Sequence, residues 1–527
     1  MQTVATRRSL LKTAGIAGAV AVAASCTSVA QAYEVAPWMP ESWDCEADAV
    51  VIGFGAAGAV AAIELAEQGC TTVLLEKMSR EFAGGDCSVC GGYIAAAVSE
   101  DAYVVSTLNA LDRDYIDAIL PYVNESASYL VDKGVELDTE SFPGFALAVS
   151  KDGEPLGQAL YNSLTAVVEA RADKITVMYE TPGIGLIQDP VTGEVLGVKA
   201  GSEGAPVYIK AARGVVVTTG GYEADREMTN AIHVPGLLFP TIGSPANTGD
   251  GVKMLMKAGC KVQNFGECLE YAAMASKAAS EQAGTGITIP VRAAADNYLF
   301  VNCAGQRFMD ETASLQHTKR DDVLTYNWFE GGLGSKYDNT RYPNAPAFLV
   351  FDDALMSAGP VADVDGAGMG WNIHGLYTWS SDNSAELESG WIVKADTLEE
   401  LAEAVSATDM WGNEVHINPA GLVEQVEQFN ASAQAGADDQ FGRTALAPLG
   451  EGPYYAMEII PATLYPTGGA SHDVHAQAVD WADRPIARLY LAGQVGDPYT
   501  VHSAAVVGAT AWGRIAAEQI SQTEPWA

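Results

Sequence analysis

Asp48-Ala-Val-Val-Ile-Gly-Phe-Gly-Ala-Ala-Gly-Ala-Val-Ala-Ala-Ile-Glu-Leu-Ala-Glu-Gln-Gly-Cys-Thr-Thr-Val-Leu-Leu-Glu-Lys77 reads as strand, glycine turn, helix and second strand. Ala49 to Ile52 is an apolar, β-branched run, and Val73-Leu74-Leu75 is a second one ending on Glu76. Between them Gly53-Phe-Gly55-Ala-Ala57-Gly58 turns directly into an alanine-rich segment of helical periodicity. Each glycine has its own reason. Gly53 permits the tight turn, Gly55 lets the backbone approach a pyrophosphate, and Gly58 lets the helix pack closely on the strand. The helix N-terminus then offers N–H groups and a positive dipole end to phosphates. Glu76, roughly 20 residues beyond the glycines, stands where an acceptor for an adenosine ribose hydroxyl belongs. The whole pattern predicts a dinucleotide site on a Rossmann-like α/β unit.

At 527 residues the chain is long enough for several domains and a large core. Residues 1–32 are set apart. Thr6-Arg7-Arg8-Ser9-Leu10-Leu11-Lys12, a small-residue apolar run to about Ala24, and Ala30-Gln31-Ala32 read as a twin-arginine export signal with a cleavage site. The run is too short and alanine-rich for a good membrane span. Retention as an anchor and lipidation at Cys26 are the alternatives to cleavage after Ala32. Export places the mature chain in the periplasm or otherwise outside the cytoplasm. Removing Arg7, Arg8 and Lys12 takes the formal charge from −38 to −41, which disfavours nucleic acid and anionic membrane surfaces as partners. Cys87-Ser-Val-Cys90 could be a redox pair, but no second Cys-x-x-Cys or suitably spaced His accompanies it. No metal is therefore expected, and without a Cys-x-x-Cys-His no covalent haem is expected in this chain.

Further along, Gly84-Gly85-Asp86-Cys87-Ser88-Val89-Cys90-Gly91-Gly92 suggests a loop and helix start pressed against a flat cofactor. Residues 113–134 and 157–173 read as amphipathic helices, and strand-like runs follow from Ile175 to Val217. Gly214-Val-Val-Val-Thr-Thr-Gly220-Gly221 is a buried strand closing on a glycine pair. Asn247-Thr-Gly249-Asp250-Gly251 opens another helix with an acid at its start.

This order of GxGxxG, Glu76-Lys77, Gly-Gly loop, Thr-Gly-Gly and Gly-Asp-Gly resembles the FAD-binding half of the fumarate reductase and ketosteroid dehydrogenase flavoproteins. The resemblance covers about residues 45–525. It implies FAD rather than NAD, in a glutathione-reductase-type FAD-binding domain carrying an inserted α+β capping domain. The expected boundaries are 45–267 and 411–527 for the two parts of the FAD-binding domain, and 268–410 for the cap. Gly305-Gln-Arg307-Phe308-Met-Asp-Glu311 and Phe351-Asp352-Asp353 match the family's pattern in the cap, which acts there as a lid. Excluding water in this way suits hydride chemistry. The resemblance implies cofactor contacts from Gly53, Gly55, Ala57, Gly58, Glu76, Lys77, Gly84, Gly85, Asp86, Cys90, Gly91, Gly92, Gly220, Asp250, Gly493, Gln494, Val507 and Gly508. Glu76 would lie on the ribose, Gly84 to Gly92 beside the isoalloxazine, and Asp250 near the ribityl chain or ring. A terminal helix from Ser503 to Ile520 would aim its dipole at the flavin.

Departures from the family speak to substrate. Its paired histidines before Thr-x-Gly-Gly correspond to Leu464 and Tyr465, its proton-donating arginine to Met356, and another arginine to Ala505. A small dicarboxylate would lack the partners its desolvation demands. What remains near the expected flavin is Tyr465, Tyr499 and His502, with lid aromatics around Tyr326 to Trp328. A phenol can protonate the carbon beside an enone or stabilise a developing enolate. His472 and His475 read as solvated. The expected activity is reduction of an activated C=C bond in an uncharged or aromatic conjugated small molecule, with a membrane cytochrome or flavin carrier as electron donor. A steroid-type dehydrogenase passing electrons to quinone, a fumarate- or urocanate-type reductase and a non-catalytic electron carrier are the alternatives.

Overall fold

Strand β1 (Cys45–Ile52) leads into helix α1 (Ala56–Glu67) and strand β2 (Thr72–Leu75). The chain continues through a short helix α2 (Asp86–Val89), helices α3 (Arg113–Lys133) and α4 (Leu156–Glu169), and strands β3 (Ile175–Met178), β4 (Gly183–Gln188), β5 (Val195–Ser202) and β6 (Ala205–Val217). Helix α5 (Asp250–Lys257) precedes a second sheet of strands β7 (Cys268–Met274), β8 (Tyr298–Asn302) and β9 (Ala347–Asp352). Helices α6 (Leu398–Ala404) and α7 (Pro419–Ala435) and strand β10 (Tyr454–Pro466) complete that unit. Strand β11 (Pro485–Leu491) and helix α8 (Ala504–Gln522) return to the first. The computed structural model describes residues 38–95, 99–101, 113–141, 144–151, 153–232, 241, 243–265, 268–274, 291, 293–314, 344, 346–362, 379–409, 413–466, 468–496 and 504–526. The export-signal segment and Cys26 lie outside the described residues. Among the described residues no helix is long and apolar enough to cross a membrane.

The parallel part of the first sheet runs β11-β6-β1-β2-β3, with a short antiparallel strand (Gln477–Val479) on the outer side of β11 and with β5 and β4 added antiparallel beyond the first half of β6. Its central strands are continuous apolar runs because both faces are covered. Ala49 and Val51 face one layer with α1, α3, α4 and α8, while Val50 and Ile52 face the other with β5, β6 and α5. Helix α1 is buried from Ala56 to Leu65, lying between the sheet and α8. That position explains an alanine-rich helix with no polar face. A β-carbon on Gly513 of α8 would come 2.8 Å from the Ala57 carbonyl oxygen, so α8 crosses α1 at backbone distance.

The second sheet is antiparallel, in the order β7-β10-β9-β8. The cap was expected to end at residue 410, and packing on this sheet continues beyond it. Leu422, Val426 and Phe429 of α7 pack with Leu299, Val301, Phe348 and Val350 in one core, and the first half of β10 pairs with β9. Residues 413–459 are therefore built into the second sheet, because α7 supplies the layer that covers its back.

Arg307, Glu311 and Arg443 have fully buried side chains, as does their partner Asp438. Arg307 forks onto Glu311 at 2.7 and 2.8 Å and onto Asp438 at 3.1 and 3.0 Å. Arg443 donates to Glu311 at 3.2 Å and to the Tyr298 carbonyl at 2.7 Å. Burial pushes Asp438 up, but its bonds and attraction to Arg307 hold it below the ordinary carboxylate value. The Gly-x-Arg-Phe-x-x-Glu pattern is thus the ionic core of the second unit. Glu311→Ala removes the carboxylate that two buried guanidinium groups share, leaving Arg443 without a buried acid, and is expected to cost about 3–5 kcal/mol of stability, measured as a shift in denaturant midpoint.

Candidate active site

The glycine turn is held by the strand beside it. Gly53 has φ +107°, a value side chains rarely adopt, and a β-carbon there would come 2.6 Å from the Thr218 carbonyl oxygen. The Thr218 hydroxyl donates to the carbonyls of Ile52 at 3.0 Å and Gly53 at 2.8 Å. A β-carbon on Gly58 would overlap the Gly53 carbonyl oxygen. Gly55 is different: its added β-carbon would meet only the Gly84 carbonyl oxygen, at 3.4 Å, and its backbone is extended at φ −92°. No protein atom demands glycine there. Position 55 stands in ordinary contact with the Gly84 carbonyl at the N-terminus of α1, which has no side-chain cap and no acid in its first turn. An anionic group fits that place.

Glu76 is buried and serves the turn itself. The Phe54 N–H donates to one carboxylate oxygen at 3.0 Å and the Met78 N–H to the other at 2.8 Å. Burial raises its pKa against these bonds and the neighbouring Lys77 charge. Lys77 reaches Asp250 and the Thr248 hydroxyl, each at 2.8 Å. Asp250, expected near the ribityl chain or ring, is thus paired with Lys77, the residue after Glu76.

In the loop after β2, protein atoms account for several glycines. A β-carbon on Gly84 would come 2.9 Å from Ser88 and Tyr161, and one on Gly92 would come 2.6 Å from Leu156, so both pack on α4. Gly85 is nearly open, its closest neighbour being Asn247 Oδ1 at 3.6 Å. Gly91 lies in the turn before the strand Tyr93–Ala95. Cys87 and Cys90 are free thiols, and Cys90 donates to the Cys87 carbonyl at 3.2 Å. Burial pushes both thiols up, Cys90 to about 11, so neither is a ready nucleophile. Among the described residues no His, Cys, Asp and Glu cluster could hold a metal.

Sequence reading missed the group joining this loop to the next two. The Ser244 N–H donates to Asp86 Oδ1 at 2.7 Å, and the Asn247 amide donates to Glu223 Oε1 at 2.5 Å. Gly220 lies against the same asparagine, 2.6 Å from its Oδ1 for an added β-carbon. Asp86 is raised to about 6 and Glu223 well above the ordinary carboxylate value, both by burial first and each also acting on the other. An acid directly after the Thr-Gly-Gly-Tyr turn was the available signal.

At the far side Gly493 opens a short turn with Gln494, and its added β-carbon would meet Ala57 at 3.0 Å. The first turns of α8 arrive here: Gly508 lies in them, and Val507 is fully buried in the core, leaving its backbone as the part a ligand could use. His472 is not solvated as expected. It is 4% exposed, packed on Trp512 and Tyr115, with the Tyr115 hydroxyl 3.3 Å from its Nδ1. Burial lowers its pKa, so it is a neutral core imidazole, whereas His475 is exposed. Tyr465 lies near the end of β10, paired in register with Leu269. Tyr499, His502 and the aromatics from Tyr326 to Trp328 fall outside the described residues. Met356 packs against the core of the second sheet.

A family profile with the description "FAD binding domain" matches residues 48–506. Digoxin reductase of Eggerthella lenta is 25% identical over 99% of this chain and 97% of its own length. Vinyl phenol reductase of Lactiplantibacillus plantarum is 25% identical over 86% of this chain and 91% of its own. The chain spans 37% and 57% of two longer curated relatives. The solved 3-ketosteroid delta1-dehydrogenase of Sterolibacterium denitrificans, bound to 1,4-androstadiene-3,17-dione, superposes with a TM-score of 0.69 at 20% identity, covering 90% of this chain and 99% of that one.

Gly55 and Gly58 separate binding from folding. Gly55→Ala is expected to leave apoprotein stability unchanged or raise it by about 0.4–1 kcal/mol, while the purified protein loses its flavin absorbance. Gly58→Ala should lower both the melting temperature and the flavin content.

Proposed function

The chain belongs to the FAD binding domain family over residues 48–506, and from that premise we propose an exported reductase of an activated C=C bond in an uncharged or aromatic conjugated substrate, an enone or aryl acrylate. Its cofactor is FAD, and it is an oxidoreductase of the class acting on C=C and CH–CH bonds. The N-terminus of α1 would take the pyrophosphate, Gly55 would admit it, and the remaining acceptor capacity of Glu76 would meet the adenosine ribose. Gly84 to Gly92, with Gly493, Gln494 and the start of α8, would border the flavin.

The observation that carries the substrate class is the lack of charge where a dicarboxylate would need it. Leu464 and Tyr465 end β10, Met356 packs on an apolar core, and Ala505 lies in the first turn of α8. None carries the positive charge that a buried carboxylate needs, and the isolated burial of such a charge is prohibitive. Relatives that reduce digoxin and vinyl phenol support the same reading.

Bound FAD would supply the hydride to the β-carbon of the conjugated system. Tyr465 would protonate the α-carbon from its phenol, with Tyr499 and His502 as the other candidates to hydrogen-bond the carbonyl and the developing enolate. The second unit would close over the reacting atoms and exclude water. Export by the twin-arginine route separates the chain from cytoplasmic nicotinamide. Electrons would therefore come from a membrane quinol through a cytochrome or flavin carrier.

An anaerobic reoxidation assay tests this reading. The dithionite-reduced protein should be reoxidised rapidly by an uncharged enone or aryl acrylate and left unchanged by fumarate. Tyr465→Phe should slow that reoxidation by about 10²–10⁴-fold. Reoxidation by fumarate would overturn the substrate class. Silence toward all acceptors, with reduction of the oxidised enzyme by a saturated ketone, would establish a dehydrogenase instead.

A further inference from the structure

Asp86, Glu223 and Asn247 belong to three separate segments: the loop that starts α2, the turn after β6, and the loop that starts α5. Ser244 and Asn247 each donate one hydrogen bond, to Asp86 Oδ1 and Glu223 Oε1. The Ala224 N–H donates to the Asn247 carbonyl at 3.0 Å, and the Gly249 N–H to the Gly221 carbonyl at 3.2 Å, tying the second and third segments by backbone as well. The first segment has no such backbone tie to the other two among the bonds above. Its attachment is Asp86.

Asn247 brings the two acids into one cluster: its side-chain amide donates to Glu223 Oε1, and its Oδ1 lies 3.6 Å from a β-carbon added to Gly85, the residue before Asp86. Each acid also acts on the other's proton affinity. Yet the second oxygens, Asp86 Oδ2 and Glu223 Oε2, have no donor among the described residues, and Glu223 is only 3% exposed. Two buried acceptors side by side are stable only when a proton joins them. The groups facing the pair from the packed elements are few. Cys87 and Cys90 on and after α2 are neutral thiols, and Ser244 and Asn247 are uncharged donors. The nearest ion pairs in sequence, Asp225 with Lys253 and Lys77 with Asp250, are closed on themselves.

We propose that Asp86 and Glu223 are positioning residues that share one proton, and that this proton clasps the Gly84–Gly85 loop to the Gly220–Gly221 turn and so holds the FAD site closed. One acid donates its carboxyl proton to the carboxylate of the other, and the pair carries a single negative charge near neutrality. Loss of that proton leaves two facing carboxylates, separates the loops and releases the cofactor. Gain of a second proton keeps a donor between them and leaves the clasp shut. The sign follows from linkage. Acids whose folded pKa values are raised stabilise the folded state most below their unfolded values, and the contribution is lost as pH rises through the folded ones.

The test reads FAD release, without substrate, so it stands or falls separately from the substrate class. The dissociation constant for FAD is measured from the fluorescence of released flavin across the neutral to alkaline range. Wild type is expected to weaken by about tenfold for each unit of pH once the shared proton titrates. Glu223→Gln keeps the shape, still accepts from Asn247 and donates an amide hydrogen to Asp86, so it should bind FAD near neutrality and lose the alkaline weakening. Glu223→Ala should bind poorly throughout, and its melting curve shows whether it folds. A flat wild-type profile would overturn the proposal, as would a Glu223→Gln variant that follows the wild-type curve or fails to hold FAD at any pH.

Discussion

A β-carbon at position 58 would occupy the same space as the Gly53 carbonyl oxygen. Helix α1 can begin where it does only because residue 58 carries no side chain, and several later features follow from that contact. With the first turn of α1 pressed onto the end of β1, the Thr218 hydroxyl can bridge the carbonyls of Ile52 and Gly53. The neighbouring β6 is thereby fixed at the same level as the glycine turn. Glu76 closes the turn from the other side through the Phe54 N–H. Three parallel strands therefore end together around one helix N-terminus, and helix α8 seals the outer face of α1 through Gly513. What emerges is a set of strand ends whose side chains are committed to each other, leaving backbone and glycine to face the ligand. That is the surface a polyanionic dinucleotide requires.

The second unit solves a different problem. Its core contains two arginines and two acids with no exposed side-chain surface, an arrangement whose desolvation cost is large and whose attraction depends on geometry. The fork-to-fork contacts of Arg307 with Glu311 and Asp438 meet that demand, and Arg443 adds the Tyr298 carbonyl and the face of the Tyr298 ring. These guanidinium groups are occupied inside the fold. The Gly-x-Arg-Phe-x-x-Glu pattern thus contributes a rigid frame, not a cation for a substrate carboxylate, which agrees with the uncharged positions at Leu464, Tyr465 and Met356.

Much of this was legible in the sequence because it is local. The strand, turn and helix from Asp48 to Lys77 obey short-range rules, and the helices expected over 113–134 and 157–173 form at Arg113–Lys133 and Leu156–Glu169. What resisted reading depends on contacts between distant segments. The packing of α7 on the second sheet was not legible because α7 is an ordinary amphipathic helix whose partners come from β8 and β9 well upstream and from β10 downstream. His472 follows a glycine pair in a polar run, and only the arrival of Trp512 and Tyr115 buries it. Gly84 and Gly92 carry the same signal as Gly55, yet helix α4 crowds the first two while the third has only an ordinary contact with the Gly84 carbonyl. Glycine tells the reader that something approaches closely, not whether it is protein or ligand.

The acid pair shows the same limit and also why electrostatics, not sequence pattern, decides its state. Two unit charges about 4 Å apart repel by about 4 kcal/mol even at the higher effective dielectric of a protein near its surface. A hydrogen bond to a charged group returns about 1.5–3 kcal/mol. The single donors from Ser244 and Asn247 therefore cannot sustain two ionised carboxylates whose second oxygens are buried without a donor among the described residues, and the shared proton wins. The helix N-termini of α1 and α8 would, in the proposed site, turn positive dipole ends worth about 0.3–1 kcal/mol each toward a negative charge. A pair that kept both charges would cancel them. Holding one proton leaves the helix ends dominant over the pyrophosphate, so the acids can join the loops without repelling the ligand those loops exist to hold.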